Sequence, residues 1–383
     1  MRKRLTKLFI SFTLLVLALS VFSGCGLTTI TRERSGSSGS NNSDGYQSAS
    51  STSFNRGSAS GETYSVVDIY YNNVNSVVGI KSETKSENIF GQTTVNASSG
   101  TGIILTSDGY ILTNNHVIED GTTFVVTLFN GTKYDAVVVG AEKSNDVAVL
   151  KIDAEGLQPA VFGDTAEVVV GEDVIVIGNP LGELTFSLSR GVVSALNRAI
   201  NEDGTPIIVF QIDAAVNEGN SGGPAFDARG HVIGMVTAKV KKNLIEGIGF
   251  CIPINDALNI ATQLIEYGFV RGKGALGIAA AVAYRQSYFG SSRVSGAYVS
   301  YVIEGSAAEK AGLVEGMLIT EVDSTEITTP EELDVVVRGK PAGTTVTVKG
   351  VYNNKEFELT VTLDEYSPDM VPEGWNTKDG AIM

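Results

Sequence analysis

From residue 64 onward, short apolar runs rich in β-branched residues alternate with turn residues. Examples of these runs are "SVVGIK", "TFVVTLFNGTKYDAVVVG" and "DVIVIGNP". Asp108-Gly109 and Asn130-Gly131 lie between alternating segments, and such pairs are the strongest short-range signal for a β-hairpin. Because no helical stretch separates these runs, a parallel α/β sheet is disfavoured. The pattern therefore predicts an antiparallel sandwich or a pair of barrels.

Helical spacing of apolar residues first appears in "NDALNIATQLIEYG", where Asn255 is placed to cap a helix and Gly268 to end it. The basic, glycine-broken connector "RGKGALG" follows, and we place a domain boundary there. Beyond it, strand patterns alternate with the short helical segments "SAAEKAG" and "PEELDVVVRG". Residues 275–364 are therefore expected to form a second domain of mixed α and β structure. The tail, residues 365–383, has no period and is expected to be loosely ordered.

The N-terminal residues 1–24 have the composition of a secretory signal peptide: a cationic start, an apolar run and a small residue before Cys25. The segment "VFSGC" resembles a bacterial lipobox, which implies lipidation of Cys25, although Phe22 stands where Leu is usual. The alternative for an exported chain is a disulfide between Cys25 and Cys251. We prefer the lipid, because the intervening segment is expected to be disordered and Cys251 lies in an apolar strand, where a free cysteine is usually buried.

Residues 25–62 are predicted to be a disordered tether. Within residues 35–60, 18 of 26 positions are Ser, Gly or Asn, a composition that cannot bury enough surface to offset the entropy of ordering. The formal net charge of −15 opposes binding to nucleic acid. With two histidines and two cysteines in the chain, we expect neither a metal site nor a cofactor.

The segment "NEGNSGGPAF", residues 217–226, surrounds Ser221 with glycines. Glycine and serine often share a turn for conformational reasons alone, so a nucleophile requires a base and an acid elsewhere. An α/β-hydrolase needs the order Ser, acid, His, and His231 follows too soon to leave room for the acid. His231 itself, at a hairpin tip, is expected to be an exposed polar side chain. The order His, acid, Ser is available with His116.

The residues alone leave the acid open among several aspartates between His116 and Ser221. These candidates are Asp120, Asp135, Asp146, Asp153, Asp164, Asp173, Asp203 and Asp213.

Six segments in order resemble the HtrA (Deg) family of trypsin-like serine proteases: "TGIILTSDGYILTNNHVI", "NDVAVLKI", "VIGNPLG", "GVVSALNR", "QIDAAVNEGNSGGPAFD" and "GIGFCIPIN". The resemblance implies a mainly β fold, with a two-barrel chymotrypsin/trypsin-like protease domain over residues 63–270. It implies that His116 is the general base, Asp146 its orienting acid and Ser221 the nucleophile. The backbone N–H groups of Gly219 and Ser221 would form the oxyanion hole.

By the same resemblance, Val216 and Val240 line the substrate pocket, so we expect cleavage after small or medium aliphatic residues. Residues 275–364 resemble a PDZ domain, through "GALGI" and "GSAAEKAGLVEGMLITEVDSTEI". Its contacts with a peptide C-terminus would be Leu276, Gly277 and Ile278.

The expected function is an extracytoplasmic serine endopeptidase that degrades unfolded or damaged proteins in protein quality control. We expect it to be held at the bacterial cell membrane through lipidated Cys25 and to form a homotrimer, as the family does. The alternative is a non-proteolytic chaperone or PDZ scaffold for exported proteins. Digestion of casein by the native protein and by a Ser221→Ala variant distinguishes the two.

Overall fold

A computed structural model describes most of the chain from residue 53 onward. The described ranges are 53–58, 61–87, 93–119, 121–179, 186–201, 206–217, 219–238, 247–287, 290–370 and 381–383. The predicted signal peptide and Cys25 lie outside them. In the described residues, no helix has the length and apolar character needed to cross a membrane.

The first part of the chain forms a closed barrel of six antiparallel strands. Its elements are α1 (Val66–Asn73), β1 (Val77–Glu87), β2 (Thr93–Ile104), β3 (Tyr110–Thr113), α2 (Asn115–Ile118), β4 (Thr123–Leu128), β5 (Lys133–Glu142) and β6 (Val147–Ile152). The strand order is β1-β2-β3-β6-β5-β4. The predicted hairpins at Asp108-Gly109 and Asn130-Gly131 join β2 to β3 and β4 to β5. Gly109 and Gly131 both have positive φ, a conformation that glycine adopts without steric cost.

A second closed barrel follows, and a helix completes the domain. The elements are β7 (Asp173–Gly178), β8 (Ser187–Asn201), β9 (Pro206–Ile212), β10 (Pro224–Phe226), β11 (Val232–Thr237), β12 (Gly249–Pro253) and α3 (Ile254–Tyr267). The strand order is β10-β11-β12-β9-β8-β7. The paired barrels confirm the predicted protease-type fold.

Helix α3 ends at Gly268 as predicted, with φ of 78° at that glycine. Its start differs from the prediction, because Pro253 and not Asn255 occupies the N-cap position. The Asn255 side chain is engaged elsewhere and donates a hydrogen bond to Asp164 at 2.6 Å. A single buried apolar cluster contains residues from both barrels and from α3. This shared core holds the barrels against each other and defines the crevice between them.

The C-terminal domain is built on an antiparallel sheet with two helices, as expected for a PDZ domain. Its elements are β13 (Gly274–Ala275), β14 (Ile278–Ser287), β15 (Gly290–Val302), α4 (Ala307–Ala311), β16 (Leu318–Val322), β17 (Thr325–Glu326), α5 (Pro330–Arg338), β18 (Thr345–Tyr352), β19 (Lys355–Thr362), β20 (Asp364–Glu365) and β21 (Ala381–Ile382). The main sheet has the order β19-β18-β16-β15-β14-β21. Ser306 and Thr329 cap α4 and α5 with their hydroxyl groups, which is the usual role of these residue types.

Residues 53–58, which fall in the predicted tether, lie against the protease domain. The Gly57 N–H donates to the Phe162 carbonyl at 2.9 Å, and the Phe54 ring packs edge-on against Phe162 with centroids 6.2 Å apart. Arg56 Nη1 donates to the carbonyl of Gly163 and to Asn255 Oδ1, both at 2.8 Å. An aromatic and a cationic side chain thus anchor a segment whose Ser/Gly/Asn content predicted disorder.

Candidate active site

His116 lies in α2, immediately after β3, and faces a carboxylate from another loop of the same barrel. Its Nδ1 atom is 2.9 Å from both Oδ1 and Oδ2 of Asp146. Its backbone N–H also donates to Asp146 Oδ1, at 3.0 Å. Contacts through both the ring and the backbone fix the ring orientation. Because Nδ1 faces the carboxylate, it carries the proton, and Nε2 is left as the basic nitrogen.

Asp146 is completely buried, at the turn that leads into β6. Its backbone is left-handed, with φ of 56° and ψ of 43°, a conformation that Asp and Asn adopt more readily than most residues. Thr237 Oγ1 donates to Asp146 Oδ2 at 3.0 Å, and Asn114 Nδ2 donates to the Asp146 carbonyl at 2.9 Å. The carboxylate is therefore held by donors from both barrels.

Ser221 lies on a tight loop between β9 and β10. The flanking residues Gly219 and Gly222 have φ of 93° and 82°, where a side chain would be strained. A Cβ atom on Gly222 would also collide with the Thr101 carbonyl and with Thr113 Oγ1. The glycines around Ser221 are thus required by the turn and by its close approach to the first barrel.

Two contacts join the Ser221 loop to β2 of the first barrel, and a third joins it to the residue that follows β11. The Thr101 N–H donates to the Ser221 carbonyl at 2.8 Å, and Thr101 Oγ1 donates to the Gly219 carbonyl at 2.5 Å. The Ala238 N–H donates to Ser221 Oγ at 3.2 Å, one residue after the threonine that holds Asp146. These contacts place the Ser221 loop where the two barrels meet, beside the strand whose Thr237 holds Asp146.

The backbone N–H groups of the serine loop differ in whether they have an acceptor among the described residues. The N–H groups of Asn220, Gly222 and Gly223 donate to the carbonyls of Asn217, Val236 and Asn220. For Gly219 and Ser221, no acceptor of the backbone N–H occurs among the described residues. An oxyanion site requires two backbone N–H donors close to the hydroxyl of the nucleophile.

Val216, the described half of the predicted substrate pocket, is half-buried and lies against Gly249 at the start of β12. A Cβ atom on Gly249 would come within 2.7 Å of Val216 Cγ2. The apolar side chain of Val216 therefore packs closely against the backbone of Gly249. Val240, the other predicted pocket residue, lies outside the described residues.

His231 does not join this site. It lies between β10 and β11, and its Nδ1 is 3.8 Å from Asp227 Oδ2. The predicted exposure of its side chain is wrong: only 16% is accessible, because Gly57 packs directly against the ring. Together with Arg56 and Arg229, the ring lines a cavity of about 430 Å³ on the second barrel.

The one cysteine in the described residues, Cys251, lies on β12. Cys251 is a free, buried thiol, and burial raises the pKa of that thiol far above its usual value, so it is not a nucleophile. In the described ranges, no group of three or more His, Cys, Asp or Glu side chains could hold a metal ion.

The predicted PDZ loop has the geometry of a carboxylate-binding turn. Leu276 and Ile278 are buried, and Gly277 between them has φ of 78°. The N–H groups of Gly277 and Ile278 donate to the main-chain oxygen of Met383, at 2.7 and 3.2 Å. Both donors therefore point to the same acceptor.

Sequence reasoning missed three residues that hold the site together: Thr101, Asn114 and Thr237. Each donates a hydrogen bond from its side chain to a residue distant in sequence. Asn114 lies two residues before His116, in the "NNH" segment. This closeness in sequence is the one feature that could have indicated its role. For Thr101 and Thr237, neither periodicity nor spacing distinguishes them from other strand threonines.

Comparison with known proteins gives two family matches, a trypsin-like peptidase domain over residues 100–235 and a PDZ domain over residues 274–363. A Bacillus subtilis protein described as "Serine protease Do-like HtrA" is 36% identical over 316 residues, covering 76% of this chain and 70% of the relative. A Bartonella henselae protein described as "Probable periplasmic serine endoprotease DegP-like" is 39% identical over 288 residues, covering 74% of this chain and 55% of the relative.

Among solved structures, "HtrA-type protease AlgW with decapeptide" matches with a TM-score of 0.53 and 28% identity, covering 80% of this chain and all of that one. The chain thus spans a little over half the length of the DegP-like relative and about two thirds of the Bacillus protein.

Proposed function

The chain belongs to the HtrA family of trypsin-like serine proteases that carry a PDZ domain, and we propose from this that it is an extracytoplasmic endopeptidase acting on unfolded or damaged polypeptides. One observation carries the proposal: a buried carboxylate, Asp146, binds Nδ1 of His116 at 2.9 Å. The same crevice receives the Ser221 loop. A surface histidine would not need a buried carboxylate partner, and a flexible Gly/Ser turn would not need to pack beside that histidine.

In the proposed mechanism, His116 Nε2 accepts the proton of Ser221 Oγ while that oxygen attacks the peptide carbonyl carbon. The tetrahedral intermediate collapses when the imidazolium returns the proton to the leaving amine, which leaves an acyl-enzyme ester on Ser221. Water, deprotonated by His116, then hydrolyses the ester and restores the hydroxyl. Asp146 keeps Nδ1 protonated and stabilises the imidazolium throughout.

The oxyanion of each tetrahedral intermediate would be held by the N–H groups of Gly219 and Ser221. Support comes from the left-handed backbone of Gly219 and from the lack of an acceptor for either group within the described part of the chain. In other serine proteases, removal of one such donor lowers kcat by about 10²- to 10³-fold.

For the substrate side chain before the cleaved bond, we propose a preference for small or medium aliphatic residues such as Val, Ala or Ile. Val216 supports this preference, since it presents an apolar wall against Gly249; Val240 is proposed for the opposite wall. Mass spectrometry of peptides from a digested unfolded protein tests the preference. New carboxyl termini dominated by Lys or Arg would refute it.

The PDZ domain is proposed to bind peptide C-termini through Leu276, Gly277 and Ile278. We further propose attachment to the membrane through lipidated Cys25 and assembly as a homotrimer. The lipobox-like segment supports the first and family membership supports the second. Mass analysis of the N-terminal peptide of the mature protein and sedimentation of the tether-free protein test them separately.

Casein digestion by the native protein and its Ser221→Ala variant tests the catalytic proposal. Loss of the hydroxyl should lower kcat by about 10⁶-fold, as in other triads. Ser98→Ala is the matched control, because Ser98 lies exposed on β2 and should leave activity unchanged. If native protein and Ser221→Ala are equally inactive with activating peptides present, the protease proposal fails and a chaperone role takes its place.

A further inference from the structure

The last described residues of the chain extend the sheet of the PDZ domain. Strand β21 pairs antiparallel with β14, with Ile382 opposite Ala279 and Ala381 opposite Ala280. On its other side, β21 contacts α5. Residues 381–383 therefore occupy the groove between a strand and a helix, which is the position where a peptide adds to a PDZ domain as an extra strand.

Met383 makes three main-chain hydrogen bonds with Gly277 and Ile278. Its main-chain oxygen accepts hydrogen bonds from the N–H groups of Gly277 and Ile278, and its own N–H donates to the Ile278 carbonyl at 2.9 Å. Its side chain is completely buried in the apolar cluster that contains Leu276 and Leu333. Burial of this apolar side chain favours the docked position of the segment.

The segment belongs to the same copy of the chain as the groove. β20 pairs with β13, directly before the carboxylate-binding loop, and a Cβ atom on Gly277 would lie 3.5 Å from Met370 Cε. The chain therefore already lies beside the loop at residue 370. Ten residues, 371–380, connect that point to the strand in the groove, and they lie outside the described residues.

We propose that the chain's own segment 381–383 is an intramolecular ligand of its PDZ groove. Any external peptide C-terminus must displace it before binding. The occupant also indicates the preferred external ligand: a peptide whose last side chain is apolar and unbranched at Cβ, as in Met. The inference rests on the proposed peptide-binding role of residues 276–278 and is independent of proteolysis.

The expected size of the effect follows from tethering. A ligand joined to its site by a short connection has an effective concentration on the order of 1 mM. The measured dissociation constant of a competing peptide equals its intrinsic value divided by the fraction of grooves that are open. We therefore expect release of the segment to tighten external binding by roughly tenfold or more.

The test measures binding of a fluorescein-labelled peptide with the sequence of residues 376–383, "NTKDGAIM", by fluorescence anisotropy. All proteins are the full chain carrying Ser221→Ala, so that the peptide is not cleaved. Met383→Asp places a charge in an apolar pocket and should expel the segment. Met383→Leu, the matched control, keeps the pocket filled and should behave like the parent.

The expected result is that the peptide binds Met383→Asp at least tenfold more tightly than the parent or Met383→Leu. Equal binding to all three proteins would overturn self-occupancy while leaving the PDZ binding role intact. Absence of binding to every variant would overturn both. A parent whose affinity for the peptide falls as protein concentration rises would show that the occupant comes from another copy, which also refutes the proposal.

Hydrogen exchange gives an independent readout. The N–H groups of Gly277 and Ile278 should exchange slowly in the parent and faster in Met383→Asp, because their acceptor is then lost. Fast exchange of both groups in the parent would contradict the inference.

Discussion

The protease domain contains two histidines, and each has a buried aspartate near its Nδ1 atom. For His116 the distance to either oxygen of Asp146 is 2.9 Å, whereas for His231 the distance to Asp227 Oδ2 is 3.8 Å. The two aspartates also differ in their other partners. Asp146 accepts from a neutral hydroxyl, while Asp227 forms an ion pair with Arg229 at 2.7 Å.

Under the proposed assignment of His116 as the base, a buried carboxylate beside a histidine is not enough to make a catalytic base. The Arg229 guanidinium already satisfies one oxygen of Asp227, and the backbone N–H groups of Arg229 and His231 satisfy the other. The far side of the His231 ring is covered by Gly57. His116 has a similar accessible fraction, 22% of its side chain, but it lies where the two barrels meet and where the Ser221 loop also lies.

The largest expected difference between the two regions is in catalysis. His116→Ala should lower kcat by about 10⁶-fold, by analogy with removal of the histidine from other triads. His231→Ala, its matched control, should leave kcat and KM unchanged, because that ring faces residues 53–58 and not the crevice. Rates of peptide hydrolysis by the two variants check this, and a large loss of kcat in correctly folded His231→Ala would remove the distinction.

The contrast between these regions also shows what the sequence could predict. The alternation of apolar residues and the hairpin turns at Asp108-Gly109 and Asn130-Gly131 were sufficient for antiparallel strands, because strand periodicity and turn chemistry are local. The choice of paired barrels over a sandwich came from the family resemblance. The short helical segments that form α4 and α5 were also predicted from local sequence. The choice of Asp146 among the candidate acids needed family resemblance, because it depends on a left-handed turn aiming the carboxylate at a distant ring.

Contacts between distant segments account for what the sequence did not reveal. Residues 53–58 were predicted to be disordered from composition, but Phe54 and Arg56 find partners more than one hundred positions later. Packing of residues 53–58 also covers much of the His231 ring. The unpredicted order of this segment and the unpredicted burial of His231 therefore have one cause. Occupation of the PDZ groove by Met383 is equally invisible to periodicity, since the tail has no regular pattern.

A smaller effect is expected at Thr237, the residue of the second barrel that contacts Asp146 of the His116–Asp146 pair. Thr237→Val removes the hydroxyl that donates to Asp146 Oδ2, and one such hydrogen bond to a charged group is worth about 1.5–3 kcal/mol. We expect kcat/KM to fall by roughly tenfold to a hundredfold, since 1.4 kcal/mol corresponds to tenfold.

Thr262→Val is the control for this substitution, because the Thr262 hydroxyl donates to the Leu258 carbonyl within α3, away from the crevice. A Thr237→Val enzyme with native kcat/KM would show that the bond between the barrels is dispensable. A positioning role also predicts that Thr237→Ser, which keeps the hydroxyl, restores most of the activity.

The smallest effect is expected near the His231–Asp227 pair, and it concerns the stability of the fold alone. Gly57→Val would drive a side chain into the His231 ring and detach residues 53–58, for a loss of about 1–3 kcal/mol in the free energy of unfolding. Gly61→Val is the matched control, because its nearest neighbour is Arg229 Cδ at 4.0 Å.

Combining Gly57→Val with His231→Ala removes the obstructing ring and should recover part of that loss, with a coupling energy of about 0.5–3 kcal/mol for residues in contact. Urea unfolding of the two single variants and the double variant measures the coupling, while peptide hydrolysis should stay at the native rate in all three. Strictly additive losses would mean that residues 53–58 do not rest on His231. The difference between the two histidines would then have to be explained by the ion pair of Asp227 with Arg229 alone.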